Sequence, residues 1–165
     1  MMGAMGAMSS EVPAVAPFRF LFRVRYHECD AQKIVFNARW AEYVDVATAE
    51  FCRALFGSID PEVGGFDWRL VRQTVEWKGP GRFDDVLEAE VETARIGTTS
   101  FTLTTRFRRL PDGPLLVTAE TVYVAVRPGT AIKQPLSDND RRALEGSGRG
   151  VTVDHAGAGA AGTPT

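Results

Sequence analysis

One run of fifteen residues carries most of the side chains that could do chemistry: Tyr26-His27-Glu28-Cys29-Asp30-Ala31-Gln32-Lys33-Ile34-Val35-Phe36-Asn37-Ala38-Arg39-Trp40. Asp30 stands seven residues before Asn37, whose side chain reads as the N-cap of a long helix. The first-turn N–H groups of a helix have no intrahelical acceptor and carry partial positive charge. A loop crossing that end can set a carboxylate beside donors suited to a developing oxyanion, which is the pair of parts acyl transfer requires. The alternative is that Asp30 only caps a loop turn, a common use of aspartate, and the spacing leaves both readings open. His27 precedes Asp30 by three residues. If the chain curls there, the two meet and His27 tunes Asp30 or shuttles a proton; if a strand runs on, it points away. Glu28 is expected outside the site. Phe36 and Trp40 flank the helix start, as walls of a pocket or as core aromatics.

The flanking pattern supplies the elements that must position these groups. In residues 18–26, Phe18, Phe20, Phe22, Val24 and Tyr26 alternate with Arg19, Arg23 and Arg25, which predicts a half-buried strand. Trp40, Tyr43, Val44, Ala47, Phe51, Ala54 and Leu55 then recur at three and four, predicting a helix over roughly 38–56 that ends at Gly57. Strand patterns follow over 67–78, 85–96, 99–109 and 115–127, separated by turn residues, and 138–145 reads as a short helix. One strand, one long helix and four consecutive strands indicate an α+β domain with an antiparallel sheet covered on one face by the helix. The last strand is nearly continuous in apolar residues, which predicts burial on its second face as well, by an interface.

Composition narrows the function. The formal charge is −2 and the isoelectric point about 5.7, so no basic field exists to hold nucleic acid. No apolar run approaches the ~20 residues of a membrane span. Cys29 and Cys52 fit no metal or redox spacing and read as reduced thiols of a cytoplasmic protein. The only histidines are His27 and His155, so no metal site is expected. Residues 1–17, with all four methionines and two prolines, read as a disordered leader, and the Gly/Ala-rich residues 146–165 as a disordered tail. The domain is then 18–145.

The run from Arg23 to Asp45 resembles the signature of the 4-hydroxybenzoyl-CoA thioesterase/YbgC-like acyl-CoA thioesterases: an arginine–aromatic pair, an acidic-x-Asp-x-x-Gly-x-Val-aromatic segment, and an aromatic opening the helix. The segments Gln73–Pro80 and Arg82–Asp85 resemble the family's second hairpin. The resemblance implies the hotdog fold, a five-stranded antiparallel sheet wrapped around one long central helix. It implies hydrolysis of an acyl-CoA thioester, with the aspartate matching Asp30 as nucleophile or general base and the backbone N–H matching Asn37 polarising the carbonyl. It also implies no cofactor, and a homodimer or homotetramer with its site at the chain–chain interface. The chain departs from the pattern at Lys33, where the family has glycine, a residue suited to positive φ. Lys33 is either a solvated loop lysine or a contact to a CoA phosphate, and Arg82, Arg95 and Lys78 are further cationic candidates. Two other functions stand beside hydrolysis: a non-catalytic acyl-CoA-binding hotdog protein, and a hydratase or dehydratase, for which His27 falls before the aspartate rather than after it.

Overall fold

The computed structural model describes residues 15–64 and 66–157. The chain runs through β1 (Phe18–Arg23), a 3₁₀ turn over Tyr26–Glu28, α1 (Arg39–Phe56), the single turn α2 (Pro61–Gly64), β2 (Asp67–Trp77), β3 (Val86–Ile96), β4 (Ser100–Arg109), β5 (Leu115–Val126), α3 (Asp138–Gly146) and β6 (Thr152–Asp154). The strands form one sheet in the order β2-β5-β4-β3-β1-β6. Every pairing is antiparallel except β6 on β1.

α1 lies across one face of this sheet because its apolar stripe and the inward residues of the strands exclude water together. Trp40, Tyr43, Val44, Ala47 and Phe51 are all buried. Phe51 meets Phe18 of β1 edge to face at 5.4 Å, and Trp40 meets Phe107 of β4 at 5.3 Å. The Tyr123 hydroxyl of β5 donates to Thr48 Oγ1 at 3.2 Å, which pairs these two buried hydroxyls. Gly57 ends the helix at φ 78°, with its N–H on the Arg53 carbonyl. The opposite sheet face carries cross-strand ion pairs, Arg106 with Glu92 at 2.7 Å and Arg72 with Glu120 at 3.0 Å.

Two expectations need correction. β1 stops at Arg23, and Tyr26 is not on its buried face: it sits in the 3₁₀ turn, 83% exposed. The sheet has six strands rather than five, because the stretch read as a tail contains β6. Its glycines serve turn geometry. Gly148 and Gly150 take φ of 56° and 82°, and the buried Ser147 hydroxyl accepts the Thr93 N–H at 2.7 Å, which sends the chain back along β1. The β-branched run Val151-Thr152-Val153 then supplies the strand. The rest of that predicted tail, residues 158–165, and residues 1–14 of the predicted leader lie outside the described residues. The end of β5 is met by the chain itself. Gln134 N–H donates to the Ala125 carbonyl at 3.0 Å and Leu136 N–H to the Thr98 carbonyl at 2.9 Å.

Cys52 lies wholly inside the α1 layer, and burial pushes its thiol up to about 12. Cys29 is partly exposed. A thiol-specific chromogenic reagent at pH 8 should therefore modify one thiol in the native protein and two after unfolding. Two equally fast thiols in the native state would contradict this packing.

Candidate active site

The loop between β1 and α1 is anchored by a buried carboxylate. Glu28 is 5% exposed. Its Oε2 accepts the Arg25 backbone N–H at 2.7 Å and the Tyr43 hydroxyl at 2.8 Å, and its Oε1 lies 3.2 Å from Arg25 Nε. A buried charge with several donors is held, whereas an unpaired one would be strongly unfavourable. Burial, and the carboxylate its hydroxyl serves, raise Tyr43 far above the ordinary phenol range, so it remains a donor. Glu28 thus fixes the 3₁₀ turn on α1, and its own carbonyl accepts the Phe36 N–H at 3.0 Å.

Within that frame Asp30 begins a tight reversal. Its N–H donates to the Ile34 carbonyl and its carbonyl accepts the Lys33 N–H, both at 2.9 Å. Its Oδ1 accepts the Gln32 N–H at 2.8 Å, so one oxygen does cap the turn; Oδ2 has no partner among the described residues. Lys33 closes the reversal at φ 62°. It adopts the left-handed conformation that glycine would take freely, at a cost of about 1 kcal/mol. The exit of the loop is pinned by the Val35 N–H on the Gly81 carbonyl at 2.8 Å. A Cβ at Gly81 would stand 3.1 Å from both Trp40 and Val35, so glycine permits that approach.

Asp30, His27 and Lys33 line one cavity of about 530 Å³, together with Tyr26, Cys29 and Phe83. Tyr26 and Phe83 meet edge to face at 5.9 Å. The chain curls as one reading of His27 required, yet no hydrogen bond or ion pair joins it to Asp30 among the described residues. The Cys29 thiol is pushed up by burial first and then by Glu28, Asp30 and Asp85, which opposes formation of a nucleophilic thiolate.

The helix start departs from expectation. Asn37 is not the N-cap: Ala38 takes that place at φ −67° and ψ −24°, with no side-chain cap. The first turn is closed by backbone alone, Arg39 N–H on the Phe36 carbonyl at 2.9 Å and Trp40 N–H on that of Asn37 at 3.4 Å. The N–H groups of Asn37 and Ala38 meet no acceptor among the described residues. Trp40 is not a pocket residue; it is 2% exposed, in the core between Tyr43 and Phe107. Phe36 is 52% exposed and outside the cavity lining. Of the other cationic candidates, Arg82 sits beside the loop through its backbone bridge to Ile34, while Lys78 pairs with Glu76 at 2.9 Å. No group of three His, Cys, Asp or Glu side chains is placed to hold a metal among the described residues. Sequence reasoning missed Tyr26, Cys29, Ala31 and Phe83 as lining residues. The exposed aromatic after the Gly79-Pro80-Gly81 turn was the available signal for Phe83.

The model of the thioesterase superfamily matches residues 32–122, more than half of the chain, beginning two residues after Asp30. The chain is 32% identical over 112 residues to the acyl-CoA thioester hydrolase YbgC of Escherichia coli O6:H1, covering 67% of this chain and 83% of that one. Among solved structures it is similar to a 1,4-dihydroxy-2-naphthoyl-CoA thioesterase from Synechocystis, with a TM-score of 0.69 at 16% identity over 78% of this chain and 96% of that chain. It is also similar to a Staphylococcus aureus protein solved in complex with CoA, with a TM-score of 0.74 at 10% identity over 92% and 96%. The chain belongs to the thioesterase superfamily, and its fold is the hotdog fold of those neighbours.

Two substitutions test the loop geometry. Tyr43→Phe leaves the buried Glu28 carboxylate without one donor and should lower stability by about 1.5–3 kcal/mol in denaturant titrations; an unchanged midpoint would show that the pairing contributes nothing. Lys33→Gly removes the left-handed strain but loosens the unfolded chain, and should raise stability by up to about 1 kcal/mol. A marked loss would mean that the Lys33 side chain holds the loop.

Proposed function

We propose that this member of the thioesterase superfamily hydrolyses acyl-CoA thioesters, releasing a free acid and CoA. The observation that carries the reading is the setting of Asp30. Its backbone and one carboxylate oxygen are held by the turn, its second oxygen is unengaged among the described residues, and it lines a cavity with His27 and Lys33. The relative named acyl-CoA thioester hydrolase supports the substrate class.

In the proposed chemistry the Asp30 carboxylate either attacks the thioester carbonyl carbon or takes a proton from a water that attacks it. The C–S bond breaks, and CoA leaves as a thiolate that is then protonated. Direct attack gives a mixed anhydride, which water hydrolyses. The oxyanion formed in either route needs fixed donors, and the N–H of Asn37 at the start of α1 is assigned that role. His27 and Lys33 are assigned to the substrate: His27 at the cavity wall, and Lys33 with its cationic chain available to a CoA phosphate. Phe36, exposed beside the helix start, is assigned to substrate contact from the surface.

Assembly completes the proposal. β2 is an open sheet edge, with Leu70, Val71 and Trp77 each about half exposed along it, whereas β6 lies on the β1 side. Such an edge is a template for pairing, and we assign it to a second copy of this chain, in a homodimer or a homotetramer of stacked pairs. The free thiols fit a reducing cytoplasm, and no helix of the described residues is long and apolar enough to cross a membrane.

Thiol release from a panel of aliphatic and aryl acyl-CoAs tests the proposal. Wild type should cleave at least one class, and Asp30→Asn and Asp30→Ala should each lose about a hundredfold or more. Variants that keep pace with wild type would remove Asp30 from the chemistry. Tight acyl-CoA binding with no cleavage of any substrate would instead make the chain a non-catalytic acyl-CoA-binding protein.

A further inference from the structure

A second cavity, of about 380 Å³, opens where β1, α1 and the chain after β6 meet. Its inner wall is aromatic: Phe20 stacks on Phe22 at 5.2 Å, and Phe22 meets the Tyr43 ring at 4.7 Å. Val46, an apolar side chain left 46% exposed on the outer face of α1, continues the apolar lining. His155 closes one side. Its ring stands edge-on to Phe20 at 5.1 Å, and its N–H donates to the Leu21 carbonyl at 2.8 Å, so backbone pairing holds it in place.

The rim has the opposite character. Arg23 and Arg25 both border the cavity. Each is partnered through only part of its guanidinium: Arg23 Nη1 donates to the Asp84 carbonyl at 3.0 Å and lies 3.2 Å from Asp84 Oδ1, and Arg25 Nε lies 3.2 Å from Glu28 Oε1. Their remaining N–H groups have no acceptor among the described residues, and both side chains are substantially exposed, at 48% and 71%. An arginine presents five donors in a planar fork, so each of these can accept a further carboxylate without giving up its partner. The volume falls within the range of about 300–1,000 Å³ typical of small-molecule sites, and the combination of apolar wall and few polar groups at the mouth is typical as well.

We propose that this cavity binds a small amphipathic carboxylate, an acid with an apolar body of a few to about ten carbons. The apolar body lies against Phe20, Phe22, Tyr43 and Val46, and the carboxylate meets Arg23 and Arg25 at the rim. The site is separate from the cavity that Asp30 lines, since no residue borders both. An acid of this class is also what the proposed hydrolysis would release, but the binding stands without that reaction. The chain after α3 is what makes the site: without β6 and His155 the β1 side of the pocket would be open.

Calorimetric titration of the full-length protein with octanoate, and separately with octylamine, tests this. Octanoate should bind saturably and octylamine at least tenfold more weakly. Val46→Trp fills the cavity from an exposed position, and Arg23→Gln removes one rim charge while leaving the cavity open. Each should weaken octanoate at least tenfold, which is about 1.4 kcal/mol, while the melting temperature and any thiol release from acyl-CoA stay near wild type. Octanoate bound equally by wild type and both variants would overturn the site, as would absence of saturable binding or equal affinity for the amine. Because the probe carries no thioester, a wild-type protein that turns over acyl-CoA without binding octanoate saturably would reject this site alone, whereas one that binds octanoate without any turnover would reject only the hydrolase reading.

Discussion

The placement of one buried carboxylate governs the region where the chemistry is assigned. Glu28 has left water, so it must be met by donors, and the donors available are the Arg25 main chain and guanidinium and the Tyr43 hydroxyl. Tyr43 belongs to the helix, and Arg25 stands two residues past the end of the first strand, at the entry to the 3₁₀ turn. Satisfying a single charge therefore ties together the strand, the turn and the helix. Everything after Glu28 inherits its position from that knot: the Phe36 N–H returns to the Glu28 carbonyl, and the six-residue reversal from Asp30 to Val35 is hung between them.

The reversal also accounts for how a lysine occupies a glycine-type position. Backbone hydrogen bonds on both sides of Lys33 specify the turn, and the left-handed φ follows from the turn rather than from the residue. The strain is small beside the pairing energy of the surrounding loop. The loop path is retained, and the side chain at its apex adds a cation to a cavity that already holds Asp30 and His27.

Much of the architecture is legible in residue order. The strands at Val86–Ile96 and Ser100–Arg109 alternate with period two, and α1 repeats with periods of three and four, because one face of each meets the same core. What resisted reading had physical causes. Tyr26 continues the alternation of β1 by residue type, yet the demand of Glu28 for donors bends the chain before Tyr26 is reached. The terminal segment is rich in glycine, and composition alone equates that with disorder. In the fold the glycines make the turns that bring Val151-Thr152-Val153 against β1. Asn37 is a good capping residue by chemistry, but Ala38 already takes helical angles and the backbone closes the first turn without it.

By itself, then, the sequence determined the class of fold, the element order, the family resemblance and the aspartate on which the proposed chemistry rests. Periodicity and local turn chemistry are properties of neighbours along the chain, and a sequence displays neighbours directly. Tertiary structure alone decided that Trp40 is core while Tyr26 and Phe83 form a cavity rim, that the end of β5 is met by the same chain, and that His155 joins Phe20 and Val46 around a second cavity. Each of these depends on which distant segments exclude water from one another. That is settled only when the whole core closes, since burial belongs to the packed ensemble and not to any residue within it.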